Sequence, residues 1–270
     1  MPNHVTNILS FRGNEERIKE LREFCRGKNS PFSFQSFCPM PIELEGTRSP
    51  ANIVTEQELQ EWNDKLAKGE LKDWEKDSRP ITKSQSEELI RKWGADNWYD
   101  WHIANWGTKW DCYSHIEEYD NIIFDTAWDT PIRALWELSK QYPDIEINVK
   151  FADEDFGNNV GEYTLFNGHL QTIYKPEFSK ESVKLAMDIK GDKEYWLEGL
   201  LIDEVRDEDT LTEFQEWLVE LAHEEGNLIE EYSIPVLEKL LGLAVDNEQY
   251  ERAGKIKALI KLKLNSENLK

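Results

Sequence analysis

Four carboxylates in the middle of the chain are the residues best placed to do chemistry. Asp153 and Asp155 end a segment that alternates apolar and polar residues, and Glu162 follows the turn-like sequence Gly157-Asn158-Asn159. If that turn closes a hairpin, the three acids meet on one face of a sheet, and we expect Asp125 nearby. Such a cluster suits Mg²⁺ or Ca²⁺ in a metal-dependent hydrolase of phosphoesters. The alternative, which we favour, is an Asx-rich turn whose acids accept main-chain N–H groups.

Aromatic residues are concentrated between Trp93 and Trp110. Large aromatic side chains dominate packed cores, so we expect them to pack where an insert meets the main fold. The alternative is an exposed patch that binds a partner or stacks on bases. Base stacking needs basic residues close by, and Arg91, Lys92 and Lys109 are few. The residues of this possible aromatic platform are Trp98, Trp101, Trp106 and Trp110.

Other catalytic signatures are missing from the sequence. The five histidines form no HxH or HExxH pattern, and the sequence contains no G-x-S-x-G, G-x-G-x-x-G or GxxxxGK[ST] motif. Cys25, Cys38 and Cys112 are odd in number and form no CxxC pair, which argues against a disulfide framework or a zinc site. The sequence therefore predicts no cofactor and leans away from an enzyme.

Apolar periodicity predicts alternating strands and helices over residues 1–175. We expect strands at His4–Phe11 and Pro31–Phe37, joined by a helix that begins after Asn14 and stops at Gly27. A segment rich in lysine and glutamate at about 45–105 has helical spacing and is interpreted as an inserted helical subdomain. Further strands, with a helix at about 130–141 before the last, are expected at about 109–117, 121–128 and 145–151. The order β-α-β-(insert)-β-α-β predicts an α+β fold, a ferredoxin-like split βαβ sandwich.

Four segments of this region resemble the YubB-type family carried by plasmids and phages. They occur in the same order as in that family, over residues 1 to about 175 without most of the insert, and they are Met1–Asn7, Asn105–Asp111, Phe124–Pro131 and Ala152–Tyr163. The resemblance implies a ferredoxin-like fold and a mobile-element setting. It implies no catalytic residues, because the family has no assigned reaction.

The remainder, residues 176–270, is predicted to be an acidic helical region. It ends in two helices with one apolar face each, over 236–264. The segment Ala244–Lys257 resembles the UVR motif of excision-repair and protease-adaptor proteins, with the likeness extending over about 237–263. In that family the motif is a helical hairpin that binds another copy or a partner protein. The resemblance therefore implies self-association or partner binding through Tyr250, Arg252 and Ile256, whereas the alternative is a hairpin packed on the preceding helices.

The charge is unevenly distributed. The formal net charge is −22, and all of that net charge accumulates over residues 111–235, while residues 236–270 have a small basic excess. This acidic half repels phosphate backbones, so we expect it not to bind nucleic acid directly and to attract a basic protein partner.

Neither a run of 18 apolar residues nor a signal-peptide pattern is present, so we expect a cytoplasmic protein that does not enter the membrane. Our leading hypothesis is a non-enzymatic protein-binding or adaptor module from a mobile element, which acts on a host protein through its acidic surface. The metal-dependent hydrolase is the alternative.

Overall fold

The computed structural model describes residues 2–118, 120–191, 193–205, 211–226 and 230–267. The chain forms two compact units. Unit 1 comprises Met1–Glu154 and Gly161–Lys175, and unit 2 comprises Asp155–Val160 and Pro176–Lys270. Unit 1 contains an antiparallel sheet with helices, and unit 2 is mainly helical, so the protein is α+β as the sequence predicts.

In chain order, unit 1 is built from β1 (His4–Arg12), α1 (Glu15–Phe24), β2 (Ile53–Val54), α2 (Glu56–Ala67), α3 (Asp73–Lys76), β3 (Ile81–Thr82), α4 (Lys83–Trp93), α5 (Trp98–Asn105), β4 (Tyr113–Glu117), β5 (Asn121–Ala127), α6 (Ile132–Gln141), β6 (Glu146–Asp153), β7 (Val160–Phe166) and β8 (His169–Tyr174). The main sheet has the order β4-β5-β1-β6-β7-β8. Its first four strands, connected as β1-α1-β4-β5-α6-β6, have the split βαβ arrangement of a ferredoxin-like sandwich. The β7–β8 hairpin extends that sheet by two strands.

The start of the first helix follows from local sequence. Asn14 caps α1 by accepting hydrogen bonds from the main-chain N–H groups of Glu16 and Arg17, as its position predicts. The predicted stop at Gly27 is wrong, because the helix ends at Phe24 with Cys25 as its C-cap in a right-handed conformation.

The second predicted strand, Pro31–Phe37, is also wrong. The segment contains a 3₁₀-helix at Phe34–Ser36, and its phenylalanines are buried without joining a sheet. A distant residue explains the conformation, since the Asp111 carboxylate accepts hydrogen bonds from the Phe34 N–H at 2.8 Å and the Ser33 hydroxyl at 2.5 Å. The second strand of the ferredoxin-like order is therefore β4, and the insert separates it from α1.

The insert is helical, as its spacing predicts, and contains α2 to α5. Thr55 and Glu58 form a capping box at the start of α2, and Thr82 and Gln85 form another at the start of α4. The short strands β2 and β3 pair in parallel and bring the start of α2 next to the start of α4.

The core of unit 1 lies on one face of the main sheet. Val5 and Leu9 of β1 point to this face and are fully buried, together with Leu21 of α1 and Leu138 of α6. The alternate residues of β1 face the other side and are partly exposed.

Unit 2 contains α7 (Lys180–Lys190), α8 (Lys193–Val205), α9 (Glu213–Glu224), α10 (Ile234–Asp246) and α11 (Tyr250–Glu267). The predicted pair of C-terminal helices is thus confirmed, and α10 contacts both α9 and α11. Among the helices of the described ranges, none has the length and apolar content needed to cross a membrane.

Candidate binding site at a sheet edge

The four predicted acids do not converge. Asp125 lies opposite Thr6 in the β1–β5 register and accepts a hydrogen bond from its hydroxyl at 2.9 Å. Asp153 lies opposite Val5 in the β1–β6 register, is buried, and accepts a hydrogen bond from the Asn3 amide at 3.1 Å. Because Val5 and Thr6 are consecutive in one strand, Asp125 and Asp153 lie on opposite faces of the sheet.

The other two acids, Glu162 and Asp155, also lie in different parts of the structure. Glu162 is exposed on β7, opposite Tyr174, and Asp155 belongs to unit 2. The Asp155 carboxylate accepts a hydrogen bond from the Asn158 side-chain amide at 3.2 Å, and the Asp155 main-chain oxygen accepts one from the Asn158 N–H at 3.0 Å. Across the described part of the chain, no three histidine, cysteine or acidic residues are grouped so that they could hold a metal ion. The predicted hydrolase centre is therefore not formed by these carboxylates.

The tryptophan cluster divides between core and surface. Trp101 and Trp106 are buried, and the Trp106 indole N–H donates to the Cys38 main-chain oxygen at 2.8 Å. Trp98 is half-buried, whereas Trp110 is exposed. Each of the two interpretations of the cluster thus describes part of it.

Cys112, just before β4, and His115, within β4, form a pair that no sequence motif indicated. The Nε2 atom of His115 lies 3.3 Å from the Sγ atom of Cys112. Burial, and next the neighbouring Asp111 carboxylate, raise the pKa of the Cys112 thiol, while burial lowers the pKa of His115. Both shifts favour the neutral forms, and Cys112 belongs to the hydrophobic core while His115 is half-buried beside it.

Two of the three residues predicted to bind a partner, Arg252 and Ile256, make contacts within the chain. Ile256 is fully buried, and Arg252 donates from its guanidinium to the main-chain oxygens of Ala222 and His223. Tyr250 is 69% exposed in the single chain, and its role in partner binding stays a prediction. Arg252 and Ile256 are therefore engaged inside unit 2, and self-association through 236–264 stays a prediction.

The last strand of the main sheet has properties that the sequence-derived sites lack. All six residues of β8 are exposed, and the strand contains no aspartate, glutamate, lysine or arginine. Its inner side pairs with β7, and within the described residues no strand pairs with its outer side. The outer main-chain N–H and C=O groups of β8 are thus a template for another strand.

A bulge determines which side chains this edge presents. The β7–β8 register shifts between Thr164 and Leu165, so Leu170 lies opposite buried Leu165, and Ile173 lies opposite buried Tyr163. Opposite residues share a face, so Leu170 and Ile173 extend the core side of the sheet while remaining exposed. Tyr174 extends the other side.

The β7–β8 turn is held firmly against α6. Asn167 and Gly168 both have positive φ, at 50° and 68°, which is the backbone of a tight hairpin turn. The Gly168 N–H donates to the Ser139 hydroxyl at 3.1 Å, and the Trp136 indole N–H donates to the Gly168 oxygen. The Asn-Gly pair between two apolar runs is the signal from which β8 could have been predicted.

Residues 105–213 match the ferredoxin-like domain in Api92-like protein. This Api92-like region extends from β4 through the β7–β8 hairpin into unit 2. No curated protein matches the chain. The YubB-type and UVR-like resemblances gain no support from these matches and stay predictions.

One solved structure is similar, the crystal structure of a protein api92 from Yersinia pseudotuberculosis. The sequence identity is 11%, the match covers 66% of this chain and 99% of that chain, and the TM-score is 0.36. A likeness at that level carries no argument about function.

Within the Api92-like region, the opposite edge of the sheet is protected. At β4 the register shifts between Tyr113 and Ile116, and Glu117 forms an ion pair with Arg26 at 3.2 Å. Arg22 also donates to the main-chain oxygen of Glu118 at 2.8 Å, which occupies an acceptor at the end of this strand. Bulges and charged side chains are the usual means of preventing strand addition. The β4 edge has both, whereas β8 has a bulge but no charged side chain.

Proposed function

We propose that this protein is a non-enzymatic protein-binding module that receives an extended segment of its partner along β8. The observation that supports the proposal is the contrast between the two edges of one sheet. The β4 edge has an ion-paired glutamate, whereas β8 contains no acidic or basic residue of the Asp, Glu, Lys or Arg type and is exposed along its whole length. Strand addition of this kind derives affinity from main-chain hydrogen bonds and specificity from side chains on either face.

The apolar side chains of the edge supply the specificity. Leu170 and Ile173 lie side by side on the core face, so a partner strand that places apolar residues on that face buries them. Because the Asn167-Gly168 turn is bonded to α6, β8 is ordered before the partner arrives, which reduces the entropic cost of binding.

The charge of unit 2 supports a basic partner. Lys180 is bonded to both Glu220 and Glu224, at 3.1 and 2.8 Å, and Lys193 contacts Glu225. These lysines are already paired within the unit, and residues 176–235 still contain more acidic than basic residues. An excess of this sign steers basic proteins towards the chain.

We propose that the protein acts as an adaptor in a plasmid or phage setting. It would bind a host protein through this acidic surface. The YubB-type resemblance supports the setting. The absence of charge from β8 supports a partner strand that is itself uncharged, carried by a protein that is basic elsewhere.

Affinity capture with edge variants tests the proposal. The full-length chain, the double variant Leu170→Lys/Ile173→Lys and the control Ile116→Lys are used to capture proteins from extracts of the native host. Ile116 is a matched control because it is 56% exposed on the opposite edge, against 57% for Ile173. We expect the double variant to lose the partner that the native chain and the control retain, with an affinity loss of about tenfold or more, equal to about 1.4 kcal/mol.

Salt provides the second arm of this experiment. Contacts made by the acidic surface weaken as ionic strength rises, because exposed charges are screened over about 8 Å at physiological salt. If the double variant captures the partner as well as the native chain does, strand addition at β8 is contradicted. Capture that is insensitive to salt contradicts the basic partner.

A further inference from the structure

A cavity in unit 1 is lined by both aromatic and basic residues. Its volume is about 390 Å³, and its lining includes Arg48, Asp77, Trp98, Tyr99, Lys109 and Trp128. Ligand cavities start at about 300 Å³, so this one is large enough for a small molecule. It shares no residue with β8, and it is therefore independent of the protein-binding edge.

Lys109 is held between two exposed indoles at the rim of this cavity. Its Nζ atom lies 4.6 Å from the ring centre of Trp110 and 5.0 Å from that of Trp128. Trp128 is 43% exposed and has a φ of 74°, a left-handed conformation that is rare for a bulky residue. Strained conformations of this kind are concentrated at binding sites, where the surroundings maintain them.

The charge of the cavity is opposite to that of the protein. Within the described residues, neither Arg48 nor Lys109 forms an ion pair, whereas Lys76, Lys92 and Lys140 each contact a carboxylate. In a chain of net charge −22, two basic groups without a carboxylate partner form a local site for an anion. A guanidinium is suited to phosphate because its planar fork binds two oxygens at once.

From these features we infer that the cavity binds a purine mononucleotide. The base stacks on the Trp128 indole, as bases commonly do on aromatic side chains, and meets Tyr99 edge-on, because the Tyr99 ring is perpendicular to that of Trp128. The phosphate lies at Arg48 and Lys109, and Asp77 accepts a hydrogen bond from an amino group of the base. A mononucleotide is favoured over a strand because the acidic charge of the chain repels a phosphate backbone.

Isothermal titration calorimetry of the full chain with AMP, GMP, inorganic phosphate and a single-stranded oligonucleotide tests this inference. We expect saturable binding of a purine mononucleotide and at least tenfold weaker binding of phosphate alone. Trp128→Ala and Lys109→Met should each weaken the nucleotide at least tenfold. Two exposed residues of the insert that do not line the cavity provide matched controls, and Trp74→Ala and Lys65→Met should leave the nucleotide affinity unchanged.

Circular dichroism and thermal unfolding establish that each variant is folded. If Trp128→Ala is not, Lys109→Met alone decides the outcome, because it changes a partly exposed side chain. The inference is overturned if no mononucleotide binds at millimolar concentration, if phosphate alone binds as tightly, or if both cavity variants bind like the native chain. Tighter binding of the oligonucleotide than of AMP and GMP also contradicts it.

Discussion

Arg252, near the start of α11, donates a hydrogen bond from its guanidinium to the main-chain oxygen of His223 at 2.6 Å. A second hydrogen bond joins the guanidinium to the oxygen of Ala222 at 3.1 Å. Both acceptors lie in the last turn of α9, where carbonyl groups have no partner within the helix and the helix dipole favours a cation. This contact joins α11 to α9, so Arg252 stabilises its own unit.

Arg252→Ala should therefore reduce the stability of the protein. Hydrogen bonds to charged groups contribute about 1.5–3 kcal/mol each, and the two share one side chain, so we expect a loss of about 2 kcal/mol. Urea unfolding followed by circular dichroism measures it. Lys255→Ala is the matched control, because its exposed ion pair with Glu251 contributes less than about 0.5 kcal/mol. Equal stabilities for the two variants would show that the α9 contact contributes nothing.

The two apolar positions of the hairpin should behave differently from each other. Ile256→Ala removes a fully buried side chain and should cost about 2–5 kcal/mol, whereas Tyr250→Ala changes an exposed one and should cost less than about 0.5 kcal/mol. Thermal unfolding of both single variants and the double variant measures this difference. A double variant much less stable than Ile256→Ala alone would contradict the position of Tyr250.

Stability should fall as the pH falls below about 6.5. The Nδ1 atom of His102 donates to the Lys109 oxygen at 2.9 Å, and its buried Nε2 atom has no partner among the described residues. Burial lowers the pKa of His102 below its ordinary 6.5, so the unfolded chain binds its proton at a higher pH than the folded chain. The stability that its neutral form contributes is present above pH 6.5 and is lost on acidification.

Free energies of unfolding in urea at about pH 7.5 and pH 5.5 check this prediction. His102→Gln should show a smaller difference between the two pH values than the native chain. The difference is not expected to vanish, since burial also lowers the pKa values of His115 and His223. An unchanged difference would mean that His102 is not one of the groups responsible.

The carboxylates should bind no metal ion tightly. Calorimetry with Mg²⁺, Mn²⁺ and Ca²⁺ should show no saturable heat that disappears in Asp153→Asn or Asp155→Asn. The reason is geometric, because Asp153 and Asp125 lie on opposite faces of the sheet and the Asp155 carboxylate accepts a hydrogen bond from the Asn158 side-chain amide. A micromolar site lost in both variants would contradict this account.

The elements that local sequence determines were predictable. Alternation of apolar residues identified β1 and β6, and the cap at Asn14 located the start of α1. Pro31–Phe37 shows the limit of this reasoning, since it has the same alternation and forms no strand. Its backbone is fixed by Asp111, which is 77 positions from Phe34, and contacts over that distance leave no local pattern.

The candidate site was less predictable than the fold. Residue types drew attention to the acids and tryptophans, and none of these occurs in β8. What distinguishes β8 is its position at the end of the strand order, and the topology alone supplies that. The Asn167-Gly168 pair predicts a hairpin but does not indicate which strand of the hairpin lies at the edge of the sheet.

Amide hydrogen exchange of β8 tests the central claim most directly. The full chain is measured alone and with the captured partner, and the protection of His169–Tyr174 is compared with that of β4. The account predicts that the partner slows exchange along β8, because its outer N–H groups become hydrogen-bonded to a new strand, and leaves β4 unchanged. Unchanged exchange at β8 in the presence of a bound partner would contradict strand addition.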